Sequence, residues 1–207
     1  EFSTSKPLAL VDVQTLLTLN EALFTFISSG SETYAFLVRK NDVQAYKVDL
    51  GEDQLIDIVS SLRNNIDLSG AKNTADIPKF DLDLAHELYI TLLGPVKDML
   101  NGVKHLLVVP SGPMESFPFN MLVTEPTVVK GSDFSRYQSA AWLPKLFSIT
   151  RLPSVSSLRA LREFTTKTKA SGSFKGFGDP VLNGQPGKVR GLTMVDIYKG
   201  AEASTDK

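Results

Sequence analysis

The chain has 207 residues, 42% of them apolar, which is enough for one large domain or two small ones with a real core. Its 22 basic and 23 acidic residues leave a formal charge of -1, so no basic field favours nucleic acid or anionic lipid. There is no cysteine, which excludes disulfides and cysteine-based zinc sites and fits a cytoplasmic location. No apolar run approaches the ~20 residues that span a bilayer.

Residues 1–7 lack the charged-then-apolar pattern of a signal peptide and read as a disordered or vector-derived leader. Asp12 is placed to cap a short helix through Leu17. Ala22–Ile27 is apolar on both faces and predicts a buried strand. Two further strands, Thr33–Arg39 and Val43–Val48, flank the tight connection Asn41-Asp42, so the domain is expected to open with an antiparallel meander. Gln54–Ile66 carries Leu55, Ile58, Val59, Leu62 and Ile66 at helical spacing, behind the acidic Glu52 and Asp53. Residues 67–81 mix Asp, Asn, Gly, Pro and Lys and predict an exposed loop.

Asp81 or Asp83 then caps a long helix with the stripe Leu84, Leu88, Leu92, Val96 and Met99, which Pro95 should kink. The run Leu106–Val109 has the continuous apolar character of a strand covered by helices on both faces. It stops at Pro110, turns through Ser111-Gly112-Pro113 and enters the packed aromatic step Phe117-Pro118-Phe119. Residues 124–141 read as a long excursion, and Trp142–Leu146 leads into a short strand, Phe147–Leu152. Ser154 caps a helix over Val155–Phe164. A polar loop, Thr165–Ser171, precedes a last short strand, Phe174–Phe177, expected beside Leu106–Val109. Residues 183–207 read as a linker, and no internal repeat is present.

Few residues hint at chemistry. Gly172, Gly176 and Gly178 match neither the dinucleotide nor the Walker spacing, so strand-end geometry explains them better. Ser111 and Ser116 fall near the carboxyl edge of the sheet, where open α/β sheets place ligands, but no Gly-x-Ser-x-Gly elbow surrounds either, and a turn-capping hydroxyl is the expected role. Asp81, Asp83 and Glu87 lie close together, with His86 between the last two, a spacing that capping and solvation account for without a metal. His86 reads as a helix-surface residue and His105 as a strand-edge residue. The residues themselves therefore nominate no catalytic, cofactor-binding or metal-binding group.

Residues 104–120, the strand followed by Pro110-Ser111-Gly112-Pro113-Met114 and the Phe-Pro-Phe step, resemble the signature of the CHAT domain, a caspase- and separase-like cysteine peptidase family; Ser111 stands where that family most often has Asp. The Glu21-Ala22-Leu23 entry, the Leu-Tyr helix ending in Gly94-Pro95, the run Leu152-Pro153-Ser154-Val155 and the step Gly176-Phe177-Gly178-Asp179-Pro180 occur in the family's order. The resemblance covers roughly residues 8–182 and implies a caspase-like three-layer α/β sandwich, a mixed sheet with an antiparallel meander at its start. It also implies a His and a Cys beyond this chain, because a cysteine peptidase needs a thiolate and an activating base. The expectation is a non-catalytic, pseudo-peptidase-like lobe over 8–182 that scaffolds a downstream catalytic lobe or fragment, without nucleic acid, membrane or cofactor. Homo-oligomers and protein partners, reached through tetratricopeptide-type regions outside the chain, are compatible with it; the rival is an inert protein-interaction module.

Overall fold

The computed structural model describes residues 8–73, 76–127 and 133–164. The chain divides into two compact units. In the second, residues 67–73 and 76–77 are described; the Asp67 carboxylate accepts the Ser69 amide at 2.9 Å, and Asp76 accepts those of Lys72 and Asn73 at 3.0 and 3.2 Å. All the helices and strands named below lie in the first.

That unit is an α/β sandwich around a mixed sheet. The strands are β1 (Glu21–Ser29), β2 (Glu32–Arg39), β3 (Val43–Val48), β4 (His105–Val109) and β5 (Ser148–Arg151), in the spatial order β3-β2-β1-β4-β5. β1, β2 and β3 pair antiparallel, as the meander predicts, while β4 joins β1 and β5 joins β4 in parallel. β4 is thus paired on both sides and leaves no place beside it for Phe174–Phe177, which lies outside the described residues. The loop expected over 165–171 and the linker expected over 183–207 lie outside them too.

The alternation of strand side chains divides the core into two layers. On one face Phe24, Phe26, Leu37, Leu106 and Val108 pack against α2 (Glu52–Asn64) and α3 (Leu82–Leu93). On the other, Leu23, Val38, Leu107 and Val109 pack against α1 (Leu10–Leu16) and α5 (Val155–Phe164). Helices on both faces of a central sheet make the three layers. Among the described residues no helix is long and apolar enough to cross a membrane.

Local chemistry sets the element ends. Asp81 caps α3 by accepting the amides of Asp83 and Leu84 at 3.1 and 2.9 Å, and the Ser154 hydroxyl accepts the Ser157 amide at 3.2 Å at the start of α5. Asp12 does not precede α1 but sits within its first turn, its carboxylate accepting the Ala9 amide at 3.3 Å. Pro95 does more than kink the helix before β4: α3 ends at Leu93, and a 3-10 segment, Gly94–Leu100, follows, with Val96 in a non-helical conformation. The excursion at 124–141 contains a helix, α4 (Asp133–Ser139). Tyr137 secures the neighbourhood of that helix, its hydroxyl accepting the Phe80 amide at 2.8 Å, while the Trp142 indole donates to the Tyr137 carbonyl at 2.8 Å.

Candidate functional site

The two histidines are held apart on separate structural duties. His86, on α3, is half-buried rather than a free surface residue: its Nδ1 lies 3.0 Å from the Val123 carbonyl, and its ring stacks on Tyr89. A carbonyl only accepts, so Nδ1 carries the hydrogen and clips the segment after Phe119 to the helix. His105 opens β4 as the sequence indicates, with Nε2 2.8 Å from the Thr150 hydroxyl on β5 and Nδ1 3.7 Å from Glu21 Oε1 on β1.

Thr150, His105 and Glu21 stand in the order of nucleophile, base and acid, but the geometry serves cohesion. Glu21 Oε1 is taken by the Arg162 guanidinium from α5 at 2.6 Å, and Oε2 accepts the Thr18 amide at 2.8 Å. The 3.7 Å separation leaves the imidazole Nδ1 without an orienting hydrogen bond to the carboxylate. Thr150 lies within β5, and the amides of its neighbours Ile149 and Arg151, which point away from β4, stand about 6.5 Å apart along the extended strand, too far to converge on one oxyanion. Burial pushes the Glu21 carboxyl up, but the Thr18 amide and the Arg162 guanidinium outweigh it and hold the group below the ordinary carboxylate range. The pair joins positions 141 residues apart, and no sequence spacing announced it.

A pH dependence follows. The folded-state pKa of Glu21 is depressed, so its stabilisation is fully present above the unfolded value of ~4.3 and is lost as pH falls through the folded value. Glu21→Gln is expected to cost about 1–3 kcal/mol at neutral pH, and the difference from the parent chain should shrink as urea melts are taken to lower pH. A constant difference down to acid would show that the carboxylate charge plays no part.

The carboxyl edge of the parallel strands has a different character. The Ser111 hydroxyl donates to the Phe26 carbonyl at 2.6 Å, tying the exit of β4 to β1, and that of Ser116 donates to the Pro113 carbonyl at 3.0 Å. Ser116 secures its own turn as expected, whereas Ser111 makes no capping bond and instead links two strands. Gly112 begins the 3-10 turn Gly112–Ser116 at φ +55°, a conformation that favours glycine. Phe117 and Phe119 then enter the core, their rings 5.9 Å apart and Phe119 6.2 Å from Phe26. Beside this turn lies a crevice of about 330 Å³ lined by Pro110, Glu115, Arg151, Leu152 and Pro153.

The adjoining edge is β5. Its register is fixed by the Ser148 amide donating to the Lys104 carbonyl and the Leu152 amide donating to the Val108 carbonyl, each at 2.8 Å. Backbone groups alternate sides along a strand, so the amides and carbonyls of Ile149 and Arg151 point away from β4. Among the described residues no strand pairs with them. Asp81, Asp83 and Glu87 are exposed, and the described residues hold no cluster of potential metal ligands. Ser111, Ser116, His86 and His105 do not converge on one centre.

No curated protein matches the chain. Among solved structures, the Alp12 filament structure is similar with a TM-score of 0.31 and 9% identity, over 72% of this chain and 49% of that one, so the chain spans about half the length of that structure. The model of the CHAT domain matches residues 82–196, a span containing α3, β4, the turn at Gly112, β5 and α5. More than half of the residues fall inside that match, and the chain belongs to the CHAT domain family.

Proposed function

We propose that this chain is a non-catalytic scaffold lobe of a CHAT-type, caspase-like cysteine peptidase, with the catalytic His and Cys carried on a downstream lobe or fragment. The carrying observation is the absence of any cysteine from a chain of this family, together with two histidines engaged in holding the fold. Without a thiolate there is no nucleophile for the family's chemistry. The side of β5 that no described strand pairs supports the scaffold role, since a strand edge with free backbone groups is where a second lobe extends a sheet.

A second reading, an inert module that binds a partner protein, draws on the face of the sheet that holds α1 and α5. There Ile27 and Tyr34, opposite each other in the β1–β2 register, are 61% and 44% exposed, and Phe36 beside them is only partly covered. A His and a Cys in the remainder of the natural gene product favour the first reading; their absence favours the second.

Both readings give the same result for the chain alone: no turnover of a fluorogenic peptide library and no labelling by a thiol-reactive probe. Turnover that survives repurification and disappears on mutating Ser111 or His105 would overturn them.

A further inference from the structure

We infer that the free side of β5 takes an extended peptide strand with a defined side-chain pattern: an apolar residue opposite Ile149 and, two positions away on the same face, a carboxylate opposite Arg151. This rests on the reading of β5 as a docking edge, and adds what that edge selects.

The pattern follows from the register. Ile149 pairs with Leu106 and Arg151 with Val108, so both side chains lie on the sheet face that carries the main core. Ile149 packs on that core but stays partly open, leaving an apolar surface for a cross-strand neighbour. Arg151 is exposed, and among the described residues its guanidinium has no ion-pair partner. The outward amides and carbonyls of these two residues supply the ladder, while Arg151 supplies the charge preference. Beyond Arg151 the crevice walls, Pro110, Leu152 and Pro153, are apolar, and Glu115 sets a negative charge there that disfavours a second carboxylate at that end. The opposite edge differs. On β3, Lys47 is already committed, donating to Glu32 at 2.7 Å.

The test uses the full chain, labelled with nitrogen-15, and two acetylated, amidated heptapeptides, Thr-Asp-Thr-Val-Thr-Asp-Thr and Thr-Lys-Thr-Val-Thr-Lys-Thr, whose patterns read the same in either direction. The Asp peptide is expected to shift the amide resonances of Ile149 and Arg151 saturably and to bind about two- to tenfold more tightly than the Lys peptide, the range a cross-strand charge pair supplies. Arg151→Glu should reverse the preference, and Arg151→Gln should level it. Equal binding of the two peptides to the parent chain, with the β5 amides still shifting, would overturn the charge selection and leave β5 as a docking edge. No shift at Ile149 and Arg151 with either peptide would overturn both.

Discussion

Leu106→Ala and Phe119→Ala are each expected to destabilise the fold by about 2–5 kcal/mol, the range for truncating large buried side chains. Leu106 is fully buried near the start of β4, between β1 and β5 and in the core layer that α3 covers, so removing its side chain opens a cavity that helices on that face cannot close without shifting the sheet. Phe119 bridges the turn after β4 to Phe26 and Phe117, and its loss frees that turn from the strands. At roughly 2–4 °C per kcal/mol for a domain of this size, thermal melts should fall by about 4–20 °C. Melts unchanged by either substitution would mean that β4 and the aromatic step lie outside the core.

The second large effect is expected at Arg39. Its guanidinium donates to three carbonyls, those of Leu19 at 2.8 Å, Met99 at 2.9 Å and Asn101 at 3.0 Å. One planar fork thereby joins the end of β2 to the segment entering β1 and to the segment entering β4. Arg39→Ala should cost about 1.5–3 kcal/mol, and Arg39→Lys should recover less than half of that loss, since an ammonium lacks the fork that reaches separate acceptors. Full rescue by lysine in chemical denaturation would show that only the charge matters there.

Much of this fold is legible in the sequence because strands and capped helices carry local signals. Apolar residues on both faces of Ala22–Ile27 and the Leu-Leu-Val-Val run mark two inner strands; the run is buried, and the first stretch is covered as far as Phe26, while Ile27 at its end is exposed. Asp81 and Ser154 mark helix starts by a short-range bond to amides two or three residues on. The features that escaped depend on distant partners or on competition. Whether Pro95 bends or ends a helix depends on what the following turn packs against, and Val96 and Leu100 find buried places in a 3-10 segment instead. The α4 helix lies in a polar stretch with little apolar periodicity, and its fixed points are the bond of the Tyr137 hydroxyl with the distant Phe80 amide and that of the Trp142 indole with the Tyr137 carbonyl. The Glu21–Arg162 pair had no spacing signal, since sheet topology alone brings β1 and α5 together.

The proposed site divides the same way. The absence of cysteine and the turn bond of Ser116 are readable from residue types and local turn chemistry, whereas the Ser111 bond to Phe26 is not, because the sheet brings together residues 85 apart in sequence. The outward backbone of Ile149 and Arg151 is not, because which side of a strand is free depends on its neighbours in the sheet.

The scaffold role is tested most directly by the mass of the purified chain in solution, measured by native mass spectrometry alongside light scattering over a range of concentrations. With β5 an edge strand among the described residues and Ile27 and Tyr34 open on a sheet face, species above the 22.6 kDa of a single chain are expected, either self-associated or bound to a companion polypeptide carrying a His and a Cys. A single 22.6 kDa species at every concentration, with no companion, would contradict it.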